Sequence, residues 1–268
     1  MTGAFLLIGG LHLFYTAIGS GQPLVYVHGN TGSSRWFSQV MDIPGFQTFA
    51  LDLPNFGKSS PLEGDPDLHV YADYVGEFIE ALHLKSPIVI GHSLGGGVAQ
   101  SLAVRRPDLV SALVLVDSAS PKGLITPRER YPFIEMMRKD RNLLSKALAA
   151  TVPTLQDAVL FENLVDDAAA MAEKAWTGNA EALSAFDIEK RTTSFDKPVL
   201  VLWGRKDFII TESMAEDTAR AYPQGRLEIV EGVGHSIIVE NPGRFREIIA
   251  NFAAKIVNKS EQEALCPR

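Results

Sequence analysis

Only one cysteine, Cys266, occurs among 268 residues. A disulfide within the chain is therefore impossible, and a cysteine-built metal site is excluded. Such cysteine poverty agrees with a reducing compartment, so a cytoplasmic location is expected. Cationic charge is scarce as well: 25 Lys and Arg stand against 32 Asp and Glu, a net charge of −7. That balance argues against a nucleic-acid partner. No run approaches the ~20 apolar residues of a membrane span, so no membrane association is expected. The apolar opening from Met1 to Gly10 lacks a basic leader and is broken by Gly9-Gly10. It reads as a first strand rather than a signal peptide. Internal repeats and low-complexity tracts are also lacking. What remains is 46% hydrophobic and 21% charged, an ordinary globular composition able to bury one large core.

The most informative stretch runs from Ser86 to Gly97. Ile88 to Ile90 is a β-branched run with Pro87 before it and Gly91 after it, the signature of a buried strand. From Leu94 the apolar residues Val98 and Leu102 recur at helical spacing, and Pro107 closes the run. Between the two lies Gly91-His92-Ser93-Leu94-Gly95, a Gly-x-Ser-x-Gly pattern. A strand that turns directly into a helix forces its central residue into a strained conformation and lifts that side chain clear. The free N–H groups of the new helix suit a developing oxyanion. A glycine turn alone would explain Gly-x-Ser-x-Gly, but the strand before it and the helix after it favour a nucleophilic Ser93.

Other short apolar runs precede and follow. Phe5–Ile8 and His12–Ala17 predict a hairpin across Gly9-Gly10, and Leu24–Val27, Thr48–Leu51, Ala112–Val116, 197–204 and Leu227–Val230 predict buried strands. Ser33 is positioned to cap a short helix, and His69–Leu84 and the segment from Pro242 predict amphipathic helices. Thr211 caps a further helix, and residues beyond Asn258 are expected to fray. Such alternation implies a parallel sheet covered on both faces. It stops between residues 120 and 193, where strand signals are absent and helix formers prevail. The division expected is a core of residues 1–119 and 194–268 with a helical insertion of residues 120–193 in the same domain.

Ser93, Asp207 and His235 each lie at the end of a predicted parallel strand, and such ends share one edge of a sheet. Acyl transfer uses this set: an imidazole accepts the serine proton, and a carboxylate holds the imidazole. Asp117 ends a strand too and is the rival acid. Asp52 and Asp65 are assigned to turns. His28 is expected to hold its loop, His92 to pack or hydrogen-bond, and His12, His69 and His83 have no evident partners.

At this point the chain resembles the α/β-hydrolase family along nearly its whole length. The resemblance rests on His28-Gly29-Asn30, 52–59, Gly91 to Gly96, 202–207, and Gly234-His235 with Glu240-Asn241-Pro242. It implies an α/β-hydrolase fold, with an eight-stranded, mostly parallel sheet, helices on both faces and a helical cap inserted after the sixth strand. It further implies Ser93 as nucleophile, His235 as base, Asp207 as acid, and the backbone N–H groups of Asn30 and Leu94 as oxyanion donors. His-Gly-Asn is similar to the halide-holding stretch of haloalkane dehalogenases, yet those enzymes and epoxide hydrolases carry an aspartate nucleophile. Ser236 after His235 departs from the Trp usual in C–C hydrolases.

The expectation is a serine carboxylic-ester hydrolase, with no cofactor and no metal, for small to medium apolar esters. Phe133, Met136, Met137, Phe161, Trp176, Phe208 and Ile237 are the expected pocket residues. Lactone, C–C or perhydrolytic chemistry would use the same groups. A ligand-sensing protein with little turnover is the reading from another class. The oligomeric state is not legible.

Overall fold

The computed structural model describes the backbone of residues 2–265 and the side chains through residue 258. Cys266 lies outside the described residues. Among the described residues eight strands form one sheet: β1 (Thr2–Ile8), β2 (Leu11–Gly19), β3 (Gln22–Val27), β4 (Phe46–Leu51), β5 (Ile88–His92), β6 (Ala112–Val116), β7 (Val199–Gly204) and β8 (Gly225–Val230). Their spatial order is β1-β2-β4-β3-β5-β6-β7-β8. The pairings β1–β2 and β2–β4 are antiparallel, and all the others are parallel. Strands β5, β6 and β7 are buried along their whole length, because helices cover both faces and leave no side for polar residues.

Helix α1 (Leu68–Ala81) starts where the Asp67 side chain accepts from the N–H groups of His69 and Val70. Helix α2 (Leu94–Arg105) follows β5 without a loop. Between β6 and β7 lie α3 (Tyr131–Lys139), α4 (Arg141–Thr151), α5 (Ala158–Ala169) and α6 (Ala175–Ala185). This segment holds one isolated bridge, Ser120 to Gly123, and no strand among the described residues. The core resumes with α7 (Glu212–Ala221), α8 (Ile237–Glu240) and α9 (Pro242–Leu265). The single turn of α8 carries no signal in the sequence reading, and one expectation is corrected: the last helix continues through Leu265 instead of fraying beyond Asn258.

The strand order reverses direction between β3 and β5: the chain proceeds from β3 to β4 on one side and from β5 to β6 on the other. A crevice opens outside the carboxyl ends of strands at such a point. Here it separates the β3 end, at Val27, from the β5 end, at His92. Close backbone packing keeps these two ends together. A Cβ on Gly95 would stand 2.3 Å from the carbonyl oxygens of both Val27 and His28, and one on Gly91 would stand 2.3 Å from the Gly95 carbonyl. Only glycine permits that approach of α2 to β3 and β5.

Candidate active site

Ser93 joins β5 to α2 with φ 52° and ψ −118°, a conformation that a residue with a side chain rarely adopts. The turn is held from three directions. Its N–H donates to the Val116 carbonyl at 3.0 Å, and its carbonyl accepts from Gly96 N–H at 2.9 Å and Ala119 N–H at 3.1 Å. Leu94 is the first residue of α2, so its N–H has no carbonyl partner within the helix.

His235 sits on the loop after β8. Its Nδ1 lies 2.7 Å from Asp207 Oδ2 and its Nε2 2.9 Å from Ser93 Oγ. The other carboxylate oxygen, Asp207 Oδ1, accepts from the N–H groups of Ile209 (2.7 Å) and Ile210 (3.1 Å). Both oxygens of Asp207 are thus engaged, and its acceptor Oδ2 keeps the proton on His235 Nδ1. Nε2 is then the free lone pair facing the serine hydroxyl. The His235 loop is clamped from outside the three residues. His235 N–H donates to the Thr151 carbonyl at 2.9 Å. Glu240 Oε1 accepts from Gly234 and Ser236 N–H, the two residues flanking His235, while its Oε2 accepts from the Thr154 N–H and hydroxyl.

Asp117, the rival acid, is buried after β6 at φ 44°. Its Oδ1 accepts from Gly204 N–H at 2.8 Å. Burial, and next the charge of Asp207, raise its pKa well above the usual carboxylate range. The hydrogen bond to His235 belongs to Asp207.

The two neighbouring imidazoles are neutral supports. His28 Nδ1–H donates to the Gly29 carbonyl at 2.8 Å and Nε2 accepts from Leu53 N–H at 3.0 Å, with burial lowering its pKa. His92 Nε2–H donates to the His235 carbonyl at 2.8 Å, and its ring stacks on Trp36 with centroids 5.5 Å apart. Burial, and then the nearby His235, push the His92 pKa down to about 3. His69, expected to be without a partner, lies with Nδ1 2.7 Å from Ser101 Oγ. Asp52 does hold its turn, accepting from Ser34 and Lys58 N–H.

Ser93 and His235 open into a cavity of about 230 Å³. Asn30, Thr31, Trp36 and His92 line it from the core. Met137 of α3 and Leu144, Ala147, Leu148 and Thr151 of α4 line it from the insertion, and Ile209 lines it from the loop after β7. Of the seven expected pocket residues the structure brings Met137 to this wall. Phe133, Met136 and Phe208 are instead exposed, at 42%, 52% and 64%. Trp176 and Ile237 are buried in the core, and Phe161 packs partly buried against it. The α4 residues were missed although Leu144, Leu148 and Thr151 recur at helical spacing. Periodicity marks an apolar face without saying what that face looks upon.

The sequence profile of the alpha/beta hydrolase fold matches residues 22–242, most of the chain. The chain belongs to the alpha/beta hydrolase family. This alpha/beta hydrolase is 30% identical to the AB hydrolase superfamily protein YisY of Bacillus subtilis, over 90% of this chain and 95% of that one. It is 26% identical to a pimeloyl-[acyl-carrier protein] methyl ester esterase of Yersinia pseudotuberculosis, over 90% and 97% of the two chains. Among solved structures, an esterase from Exiguobacterium antarcticum superposes with TM-score 0.83 at 22% identity, covering 94% of this chain and 99% of that one. The enol-lactonase from Burkholderia xenovorans LB400 gives TM-score 0.83 at 18% identity, covering 94% and 100%. At these identities the structural likeness speaks for the fold alone. No described helix of this alpha/beta hydrolase is long and apolar enough to cross a membrane.

Proposed function

We propose that this alpha/beta hydrolase is a serine carboxylic-ester hydrolase for short apolar acyl groups. The carrying observation is the line of hydrogen bonds from Ser93 Oγ through His235 to Asp207 at the base of an apolar cavity. Ser93 Oγ attacks the ester carbonyl as His235 Nε2 takes its proton, and Asp207 steadies the imidazolium that forms. The backbone N–H groups of Leu94 and Asn30 receive the charge on the carbonyl oxygen. The tetrahedral centre collapses, His235 returns the proton to the departing alcohol, and an acyl group remains on Ser93. Water activated by His235 then releases the acid by the same steps in reverse. Residues 120–193 act as a cap, with α3 and α4 supplying the wall that selects the acyl group.

Size sets the substrate class. Pockets for drug-sized ligands begin near ~300 Å³, and this cavity is smaller, at about 230 Å³. A relative named as a methyl ester esterase supports the same chemistry. The test is hydrolysis of p-nitrophenyl esters from acetate to decanoate by wild type and Ser93→Ala. Turnover should peak at acetate to butyrate and fall by roughly 10³-fold or more in the variant. Activity that survives Ser93→Ala refutes the mechanism, and an optimum at octanoate or longer refutes the short-acyl assignment.

A further inference from the structure

A row of buried amides and one phenol leads from the core, through the insertion, to the cavity. Leu62 N–H donates to Asn55 Oδ1 at 2.9 Å. Asn55 Nδ2 donates to the Tyr71 hydroxyl oxygen at 2.9 Å, and the Tyr71 O–H donates to Asn179 Oδ1 at 3.0 Å. Asn179 Nδ2 donates to Asn30 Oδ1 at 2.8 Å. Asn55, Tyr71 and Asn179 are all buried, and they come from the loop after β4, from α1 and from α6. Asn30 lines the cavity beside Ser93.

The direction of this row is not free. Its first donor is a backbone N–H, which cannot become an acceptor. Asn55 must therefore turn its oxygen to Leu62 and its NH2 to Tyr71. The single phenolic proton must then go to Asn179, whose NH2 is left for Asn30. A second contact agrees: Asn179 Nδ2 also lies 3.8 Å from the weak acceptor Met171 Sδ. Burial raises the Tyr71 pKa, so the phenol keeps the proton it must donate. With Oδ1 engaged, the group that Asn30 has left to offer is its NH2.

We infer that Asn55, Tyr71 and Asn179 are positioning residues that hold the Asn30 side chain with its NH2 as a hydrogen-bond donor to a substrate oxygen in the cavity. Specificity follows: the preferred substrate carries an oxygen acceptor within reach of Asn30, and Asn179 makes that donor depend on seating of α6. The inference rests on the esterase reading for its kinetics but has a readout that needs no turnover.

The test reverses the row from its far end. Asn55→Asp is isosteric and accepts from both Leu62 N–H and Tyr71 O–H. Tyr71 oxygen then accepts from Asn179 Nδ2, Asn179 Oδ1 faces Asn30, and Asn30 turns its oxygen to the cavity. The kcat/KM for p-nitrophenyl acetate should fall at least ~tenfold in Asn55→Asp and change less than twofold when the same substitution is made in Asn30→Ala. An unchanged kcat/KM, or an equal fall in both backgrounds, overturns the inference, since a merely structural role is indifferent to Asn30. If Asn55→Asp does not fold, Asn179→Leu, which removes the partner of Asn30 Oδ1, enters the same cycle with the same two outcomes. Solvent exchange of the Asn30 side-chain NH2, followed by NMR and assigned through its loss in Asn30→Ala, is read independently of catalysis. It should slow in Asn55→Asp as the NH2 becomes bonded to Asn179, and unchanged exchange overturns the inference. Absence of Ser93-dependent turnover in wild type would sink the esterase reading and leave this exchange measurement to decide.

Discussion

Replacing His92 with glutamine should flatten the acid side of the stability curve by one proton. His92 is buried, its Nε2–H donates to the His235 carbonyl, and its Nδ1 meets no acceptor. A second proton on the ring would therefore be a buried donor without a partner, which is why the pKa falls from 6.5 to about 3. The sign follows from proton counting. Below pH 6.5 the unfolded chain protonates this ring and the folded chain does not, so the unfolded state binds more protons and stability drops as pH falls. Each pH unit is worth about 1.4 kcal/mol, or about 3.4 kcal/mol between pH 6.5 and 4. His28 is lowered too and acts in the same direction. Asp117, whose pKa is raised, acts oppositely: above the ordinary carboxylate pKa the unfolded chain ionises first, and stability is lost as pH rises. Both contributions are common to wild type and variant and cancel in the difference. His92→Gln keeps an amide N–H for the His235 carbonyl and removes the titration. Urea unfolding followed by circular dichroism at pH 7, 6, 5 and 4 measures the two curves. They should converge by about 1.4 kcal/mol per unit below pH 6.5. Parallel curves would refute the claim that His92 stays neutral in the folded protein.

The two buried aspartates should separate cleanly. Asp207→Asn should lower kcat by roughly 10⁴-fold, because an amide in place of Oδ2 no longer fixes the His235 tautomer. Asp117→Asn retains an acceptor for Gly204 N–H and should cost less than about tenfold; steady-state kinetics on p-nitrophenyl acetate giving the reverse order would move the acid to Asp117. Glu240→Gln leaves one oxygen where two accept four hydrogen bonds. Thermal unfolding should show a loss of about 1–3 kcal/mol, with a lower kcat as the His235 loop shifts, and unchanged values of both would show that Glu240 is no clamp.

Much of the fold was legible because its signals are local. The β-branched runs at Ile88–Ile90 and Ala112–Val116 predict buried strands wherever they are packed, and the structure has strands there. The break in alternation after Val116 announced the helical segment, and α3–α6 occupy it. The cap of α1 at Asp67, by contrast, precedes the apolar periodicity that marks the helix, and the turn of α8 carries no periodicity to read. Within the site, the positions of Ser93, Asp207 and His235 could be anticipated from strand ends, since parallel strands deliver their carboxyl ends to one edge.

Tertiary structure alone decided the rest, for a common physical reason: contacts between distant segments leave no periodic trace in either one. The apolar residues of the insertion looked alike in sequence, yet Leu144 and Leu148 face the cavity, Phe133 and Met136 face solvent, and Trp176 is buried. Which helix face meets the sheet depends on how the whole insertion docks. Which of Asp207 and Asp117 contacts His235 likewise depends on a 2.7 Å contact between loops after different strands. The roles of Glu240 and Asn179 depend on the direction of hydrogen bonds across more than eighty residues of chain. The sequence by itself determined the strands, the elbow at Ser93 and the sheet edge where Ser93, Asp207 and His235 meet. Packing decided which carboxylate meets the imidazole, which helices wall the cavity, and which way Asn30 turns.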